Sequence, residues 1–541
     1  MTSETPRIEV ESWSQPLPET VVGQLEKLLP GYIVSRRWYR AKAQTIEQLS
    51  VSDVIPVTSS DFVLAIDIRY SGDSCSTYLL PISLEPDPAD HEVLAFLRGP
   101  GGEQRAVINA LDGRRFRDLM LKAIACQSVY EGPRGVLKTS QTSALGEYCG
   151  DTLPPLESFV SRAEQSNTSV IYGDRFILKL FRKIESGINP DIEIGTFLTE
   201  HGFRHTPAVL GACEYRTRDN GAVYAVAILQ QFVKNEGDAW KYTLDSLHAF
   251  FSRALALGDK PELFELANRH PLALMDQPLS REARGVLGDY LASAELLGKR
   301  TAQLHADLAD PRGGPDFAPE PVTGHERQRV YEDMLGEARN SFETLRRKQP
   351  SLGGPAAESA RQVLELEAEI TARFFALRDF PLSTLRIRHH GDYHLGQVLF
   401  TGEDFMIIDF EGEPARPLSE RRSKALAVRD VAGMVRSFEY AAFAALFGQI
   451  EGVPSDAASL ASVERWAAFW NSFISAAYLR SYFAESQNLP FVPASAEERR
   501  IQLDAFVLQK ALYEVSYELN NRPDWVRIPL RGILTLMRSL R

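Results

Sequence analysis

The sequence predicts a mixed α+β protein with a β-rich front, a mixed middle segment and a helical back. Residues 51–57, 62–70 and 77–82 are rich in valine, isoleucine and aromatic residues and are separated by polar turns, the pattern of an antiparallel meander. From about residue 235 long helical patterns dominate, interrupted by one extended stretch at 385–410. We therefore expect an N-terminal cap at 1–100, an intermediate segment at 101–234 and a helical part at 235–541.

Individual elements follow from the same periodicities. In the middle segment we expect helices at 116–125 and 190–201, and strands at 176–180, 209–215 and 223–230. A Gly-Pro-Gly-Gly break at 99–102 precedes this segment. The helices expected in the back part are 243–256, 284–305, 325–347, 356–376, 425–447, 462–484 and 497–520.

Composition excludes several classes of function. The chain has 541 residues, of which 44% are hydrophobic, enough for a large core and too many for a disordered chain. Its net charge of −12 argues against broad binding of nucleic acid. The four cysteines lack CxxC spacing, which disfavours a disulfide framework or zinc site. The N-terminus lacks a signal-peptide pattern and no apolar run approaches ~20 residues, so we expect a cytoplasmic protein with no membrane or nucleic-acid partner.

The most informative stretch is HGDYHLGQVLF at 390–400, followed by IIDFE at 407–411. Both pieces lie in or beside short apolar strands joined by a turn, so Asp392, Gln397 and Asp409 can converge at one end of a hairpin. In phosphoryl transfer, one carboxylate orients the attacking hydroxyl and accepts its proton. A second carboxylate and an amide oxygen bind the Mg²⁺ that bridges the nucleotide phosphates. The order and spacing match the protein-kinase catalytic core, with HGD-x₄-Q in place of HRD-x₄-N and Asp-Phe-Glu in place of DFG.

Each piece also has a purely structural interpretation: a loop with a helix-capping aspartate, and an acidic turn. Their combined spacing favours the kinase interpretation. That interpretation requires a strand lysine for the α/β-phosphates and a helix glutamate that holds it. Lys179 lies in the apolar strand ILKLF, and Glu193 follows on the helix that starts at 190. A lysine protecting an edge strand is the alternative.

A nucleotide-binding site also requires residues that cover the phosphates, upstream of the lysine strand. Small hydroxyl residues, Ser166 and Thr168 among them, precede the lysine strand and can replace the glycines of a phosphate-covering turn. A complete Walker A motif is missing, as are HExxH and GxSxG. The sequence leaves the roles of two side-chain pairs undecided. His305 and Asp307 either face a cleft or cap a helix. Trp466 and Trp470 share one helix face and belong to the core or to a sugar platform.

Together, these stretches resemble the bacterial maltokinase family. The resemblance rests on HGDYHLGQVL at 390–399, DFEGEPARPLSERR at 409–422 and RDVAGM at 429–434 with RSF at 436–438. Upstream it rests on QSNTS at 165–169, ILKLF at 177–181 and NPDIEIG at 189–195. RWYRAK at 37–42 resembles the family's RWFGGKGR-type cap motif, but Arg40 and Ala41 replace its glycines.

The resemblance implies a bilobal protein-kinase-like fold with an N-terminal β-rich cap and a mostly helical C-lobe. It implies ATP and Mg²⁺ as cofactors, phosphorylation of maltose at its anomeric hydroxyl for α-glucan synthesis, and trehalose synthase as a possible partner. Asp392 would be the catalytic base, Gln397 and Asp409 the metal ligands. The residues expected to bind the nucleotide are Lys179, Glu193, Ser166, Thr168 and the hinge residues Gln231 and Val233; those expected near the sugar are His390, His394, Glu411 and Arg416.

Three other functions remain open at this stage. Related sugar kinases share HGDxHxxQ, so a kinase of another sugar, notably glucosamine, is the main alternative. A pseudokinase scaffold bound to trehalose synthase is disfavoured, because Lys179, Asp392, Gln397 and Asp409 are all intact. An aminoglycoside kinase would need an acidic pocket for a cationic substrate.

Overall fold

The N-terminal 234 residues form two seven-stranded sheets with helices beside them. In the computed structural model, the described residues are 5–11, 13, 17–72, 74–88, 91–150, 153–161, 166–454 and 457–539. The chain divides into a first unit, residues 1–234 with 416–420, and a second unit, residues 235–415 with 421–541. The elements of the first unit up to residue 231 are β1 (Arg7–Glu9), α1 (Glu19–Ser35), β2 (Ile46–Pro56), β3 (Asp61–Tyr70), β4 (Cys75–Glu85), β5 (Val93–Arg98), β6 (Gln104–Asn109), α2 (Arg114–Ala125), β7 (Val129–Glu131), β8 (Gly135–Gln141), α3 (Ala144–Cys149), β9 (Ser158–Val160), β10 (Asn167–Tyr172), β11 (Phe176–Phe181), β12 (Lys183–Ile184), α4 (Pro190–Glu200), β13 (Val209–Thr217) and β14 (Val223–Gln231).

The first sheet has the order β1-β5-β6-β4-β3-β2, with β12 paired to β4. The predicted meander is confirmed, because β2, β3 and β4 pair antiparallel in sequence order. Helix α1 buries Val21, Leu25, Leu29 and Ile33, four residues spaced by about one helical turn, in the same apolar cluster as this sheet. The strands reach Asn109, so the sheet extends beyond the predicted cap boundary at residue 100.

The second sheet has the order β7-β8-β13-β14-β11-β10-β9. Strand β11, which carries the predicted phosphate lysine, lies between β10 and β14, and both pairings are antiparallel. A lysine on this strand is therefore not on an edge strand, which removes the alternative interpretation of Lys179. The predicted helices and strands of this segment are all present within a few residues of their expected bounds.

The second unit is mainly helical, as the sequence predicts. Its elements, with α13 shared across the unit boundary, are α5 (Ala239–Ala256), α6 (Pro261–Ala267), α7 (Pro271–Leu274), α8 (Arg281–Leu287), α9 (Tyr290–Leu308), β15 (Glu320–Pro321), α10 (Gly324–Lys348), α11 (Gly354–Glu365), α12 (Glu367–Asp379), β16 (Leu385–Arg386), β17 (Val398–Phe400), β18 (Phe405–Ile407), α13 (Leu418–Arg421), α14 (Val428–Phe443), α15 (Ala457–Glu485), α16 (Ala496–Asn521) and α17 (Arg527–Ser539). The prediction of one helix at 284–305 is wrong: Gly288, with φ of +67°, ends α8 before α9 begins. The helix predicted at 356–376 is likewise two helices, α11 and α12.

The core of the second unit lies among α9, α14, α15 and α16. Trp466 and Trp470 on α15 are fully buried, so they are core residues and not a sugar platform. Cys75, Cys126, Cys149 and Cys213 are all free thiols. Within the described ranges, none of the helices is both long enough and apolar enough to span a bilayer.

Candidate active site

The loop that carries Asp392 is held by a buried aspartate on α14. Asp430 is 2% exposed and accepts the backbone N–H groups of His390 at 2.7 Å and Gly391 at 3.0 Å. Its carboxylate also lies 3.2 Å from Nε2 of His305. Burial by itself raises the pKa of Asp430, but the contacts with His305 and the nearby His389 lower it well below its usual range. An ionised carboxylate therefore anchors the loop directly before Asp392.

The hairpin of β17 and β18 brings Gln397 and Asp409 together, as predicted. The strands pair antiparallel, and Ile408 donates its N–H to the carbonyl of Gln397 at 3.0 Å. The side-chain amide of Gln397 donates to Asp409 Oδ2 at 2.8 Å. Asp409 has φ of +68°, in the left-handed region, where non-glycine residues are uncommon and often functional. An amide oxygen and a carboxylate are oxygen ligands of the kind that Mg²⁺ prefers, so the pair fits the predicted metal site.

The carboxylate of Asp392 is paired with a lysine from α16. Lys510 Nζ lies 3.3 Å from Asp392 Oδ1, and His394 Nε2 lies 3.9 Å from Oδ2. Burial by itself raises the pKa of Asp392, but Lys510, His394 and His390 together outweigh it and lower the pKa below the usual value. For Lys510, burial lowers the pKa, but Asp392 and Glu413 raise it above normal. Asp392 is thus an anion at neutral pH, as a proton acceptor must be.

The two histidines of the motif have different environments. His390 is 1% exposed, and its Nε2 donates to the carbonyl of Ile408 at 2.9 Å while its Nδ1 accepts the N–H of Asp392 at 3.4 Å. Both ring nitrogens join backbone segments, so His390 supports the loop, and its contact with the sugar stays a prediction. His394 accepts the N–H of Gly396 through Nδ1 and keeps a 40% exposed side chain beside Asp392. Burial lowers the pKa of His394, which favours the neutral ring.

The acidic stretch after Asp409 is divided between the two units. Arg421 donates to the backbone carbonyl of Glu411 at 3.4 Å. Arg429 lies 3.8 Å from Glu413 Oε2. Arg416 belongs to the first unit and lies 3.4 Å from Glu420. Sugar contacts of Glu411 and Arg416 therefore stay predictions.

In the first unit, the lysine of β11 pairs with a carboxylate of helix α4 that the sequence did not single out. Lys179 Nζ lies 3.3 Å from Oδ2 of Asp191, which is 1% exposed. Asn189 caps α4 by accepting the N–H of Asp191 at 2.8 Å. Successive helical residues are rotated by about 100°, so positions 191 and 193 are roughly 200° apart around the helix. Asp191 is therefore a partner of Lys179, and the pairing of Lys179 with Glu193 stays a prediction.

The remaining nucleotide-binding predictions have limited structural counterparts. Thr168 on β10 accepts Nε of Arg182 at 2.8 Å, and Ser166 directly precedes this strand. Gln165 lies outside the described residues. The N–H of Gln231 donates to the carbonyl of Ala208 at 2.9 Å, so this donor is used within the sheet. Contacts of Gln231 and Val233 with adenine stay predictions.

Sequence reasoning missed Lys510 and Asp191, and it noted Asp430 only as part of a motif. Lys510 is 118 residues from Asp392 along the chain, so no local spacing connects them. His305 is 0% exposed and bonds Asp430 and Tyr482, so the alternatives of a cleft or capping residue are both replaced by a buried network. The available signal for Asp430 was an acidic residue inside an apolar helix pattern, where a charge requires a partner.

The predicted mixed α+β fold is confirmed, with two β-sheets in the first unit and a mainly helical second unit. The glucosamine kinase of Mycolicibacterium smegmatis is 26% identical over 374 residues, covering 69% of this chain and 78% of that protein. The glucosamine kinase of Streptacidiphilus jiangxiensis is 26% identical over 380 residues, covering 69% and 72%. No protein-family model matches the chain.

The fold is shared with solved structures. A glucosamine kinase in complex with glucosamine, ADP and inorganic phosphate has a TM-score of 0.58 and 18% identity, covering 95% of this chain and 99% of that one. A second crystal form has a TM-score of 0.59 and the same identity. The chain is thus similar in sequence to two glucosamine kinases and shares the fold of solved glucosamine kinase structures. These similarities do not single out the maltokinase family that the motifs resemble.

Proposed function

We propose that the protein is an ATP-dependent sugar kinase, with glucosamine as the best-supported acceptor. The observation that carries the proposal is the ionised Asp392, which lines a pocket with three further carboxylates, Glu413, Glu337 and Asp430. The names of the curated relatives support the same acceptor.

The pocket is suited to an amino sugar. Besides the carboxylates it is lined by Lys510 and Tyr513 of α16. Gln509 on the same helix donates to Glu337 Oε2 at 2.8 Å, which positions that carboxylate. A protonated amino group is attracted to carboxylates, and the charged hydrogen bonds it forms are about twice as strong as neutral ones. Sugar hydroxyls can bond the same carboxylates and the phenol of Tyr513.

The chemistry follows from the groups around Asp392. The acceptor hydroxyl oxygen attacks the γ-phosphorus, and Asp392 takes the hydroxyl proton. The bond between the γ-phosphorus and the β–γ bridging oxygen breaks, and ADP leaves. Gln397 and Asp409 would hold Mg²⁺, which neutralises charge on the phosphates when bound. In the first unit, Lys179, oriented by Asp191, is the proposed ligand of the α/β-phosphates.

Maltose is the second candidate acceptor, because DFEGEPARPLSERR at 409–422 and HGDYHLGQVL at 390–399 resemble maltokinases over long stretches. In that case the product is maltose 1-phosphate and trehalose synthase is the proposed partner. A neutral disaccharide gains no ionic contact in the pocket, so this alternative predicts little effect of removing one pocket carboxylate charge.

Release of ADP with a panel of sugars separates these candidates. We expect kcat/KM for glucosamine to exceed that for glucose and N-acetylglucosamine, which lack the ammonium group, by at least tenfold. Glu413→Gln should reduce this ratio, whereas Glu420→Gln, an exposed carboxylate of the first unit, should not. NMR of the product identifies the phosphorylated hydroxyl. Preferred turnover of maltose at its anomeric position would replace glucosamine by maltose, and nucleotide binding without turnover of any sugar would refute the kinase proposal.

A further inference from the structure

A second pocket in the C-terminal unit is lined by three arginines of one helix. Arg527, Arg531 and Arg538 lie on α17 at intervals of four and seven residues, so they share one face of the helix. Arg538 is exposed at the rim, whereas Arg527 and Arg531 are partly buried. Among the described residues, this pocket shares no lining residue with the pocket at Asp392.

The positive charge of this pocket is only partly compensated. Glu464 of α15 lies between two guanidinium groups, 3.5 Å from Arg527 and 3.5 Å from Arg531. Charged N–H···O bonds are normally about 2.7–2.9 Å long, so both contacts are weak. Glu439 also lines the pocket but pairs with another arginine, so among the described residues Glu464 serves two arginines and Arg538 adds a third positive charge.

A nearby arginine shows what full compensation looks like. Arg436, 1% exposed, donates to Glu514 Oε2 through Nε at 2.9 Å and through Nη2 at 2.6 Å, and it also contacts Glu439. These two carboxylates raise the pKa of Arg436 although burial lowers it. For Arg531, burial lowers the pKa more than Glu464 and Glu439 raise it, and Arg527 and Arg538 add to the decrease.

The remaining lining suits a small polar molecule with an anionic group. Neutral donors and acceptors surround the arginines: Asn268, Gln362, Asn471 and Thr535. Phe443 forms part of the wall, and its ring lies 4.2 Å from the guanidinium carbon of Arg531. Arginine binds phosphate through paired N–H bonds, amides bond hydroxyl groups, and an aromatic wall can cover an apolar sugar face.

We propose that this pocket binds the phosphate monoester of a small polyhydroxylated molecule, such as a sugar phosphate. The phosphate lies against Arg531 and Arg538, and the amide side chains bond the hydroxyl groups. Glu464 competes with the phosphate for the arginines. The site is independent of the proposed kinase activity, because it is defined by other helices and other residues.

Isothermal titration of the full-length protein tests this site, with a non-hydrolysable ATP analogue present to occupy the nucleotide site. Glucosamine 6-phosphate and inorganic phosphate are the two probes, and the ester should bind more tightly than the free ion. Arg538→Gln, at the exposed rim, should weaken binding of the ester at least fivefold, and Arg531→Gln with Arg538→Gln at least twentyfold. Glu464→Gln should strengthen it at least threefold, because a competing charge is removed.

Two controls separate this pocket from the catalytic one. Arg69→Gln removes the same charge from an exposed position of the first unit and should leave the dissociation constant unchanged. Asp392→Asn should retain the same binding event. The proposal is overturned if the arginine variants bind the ester within twofold of wild type, if Glu464→Gln weakens binding, or if Asp392→Asn abolishes it. Equal affinity for the ester and for inorganic phosphate would overturn the assignment of an organic ligand.

Discussion

Replacing Asp430 by asparagine should lower kcat more than the distance of Asp430 from the reacting atoms suggests. Its two carboxylate oxygens accept the N–H groups of His390 and Gly391, and Oδ2 also lies 3.2 Å from His305. Asn has the same shape but offers one acceptor oxygen, and its NH₂ group faces a backbone donor. One loop N–H therefore loses its partner, and the loop that positions Asp392 can shift.

The magnitude follows from the number and kind of bonds. A hydrogen bond to a charged group contributes about 1.5–3 kcal/mol, and breaking a buried charged network costs about 3–5 kcal/mol. The second unit contains about 300 residues. With an unfolding entropy of roughly 2.1 cal/mol/K per residue, about 1.6 °C of melting temperature corresponds to about 1 kcal/mol. We therefore expect a decrease of about 5–8 °C for this unit, and a loss of about 10²-fold in kcat if Asp392 moves by ~1 Å.

The assay combines thermal melting with steady-state kinetics of the preferred sugar. Asp245→Asn is the matched control, because Asp245 is an exposed carboxylate of the same unit that pairs only with Lys241 in the described part of the chain. It should shift the melting temperature by less than 1 °C and leave kcat unchanged. KM for ATP should change little in Asp430→Asn, because no nucleotide contact is removed.

A variant that melts within 1 °C of wild type would show that the Asp430 bonds do not stabilise the loop. A variant that melts lower but keeps more than half of the wild-type kcat would show that the loop does not depend on Asp430 for the position of Asp392. Either result refutes the reasoning, the first for stability and the second for catalysis.

Three further predictions concern the groups around Asp392. Asp392→Asn should lower kcat by ~10²–10⁴-fold with nucleotide affinity unchanged, and a residual rate above a third of wild type in the ADP-release assay would exclude Asp392 as the base. Gln397→Asn should keep more activity than Gln397→Ala and need less Mg²⁺ for half-maximal rate in a magnesium titration; equal losses would count against metal binding by this side chain. Burial lowers the pKa of His389 from 6.5 to about 3, opposed by Asp430 and aided by Arg429, His305 and Arg388. Below pH 6.5 the unfolded chain therefore binds a proton that the folded chain does not, which reduces stability by about 1.4 kcal/mol per pH unit down to about pH 3. His389→Gln should make the melting temperature decrease less steeply between pH 6.5 and 4.5, and an unchanged slope would contradict the assignment.

Most of the fold could be predicted because its elements have local signatures. The meander of β2, β3 and β4 follows from alternating apolar residues and polar turns, and the long helices follow from their periodicity. The break at Gly288 was missed because periodicity continues across it, although a glycine there adopts a positive φ that ends a helix.

The catalytic motif could also be predicted, because Asp392, Gln397 and Asp409 lie close in sequence and a short hairpin brings the last two within hydrogen-bonding distance. The contact of Lys179 with Asp191 could not be predicted from the sequence. Asp191 and Glu193 are both acidic residues in the first turn of α4, and only the orientation of this helix relative to β11 decides which carboxylate meets the lysine.

The sequence by itself determined the fold class and the order of the main elements, and it supplied the residues proposed to accept a proton and bind a metal. The tertiary structure decided which groups hold them: Asp430 for the loop, Lys510 for the charge of Asp392, and backbone contacts for His390. The physical reason is that these contacts join segments 18 to 118 residues apart along the chain, or depend on the rotation of a helix. Long-range contacts and the rotation of a helix leave no periodic pattern in the sequence. In the folded chain they are seen as burial, charge pairing and hydrogen-bond geometry.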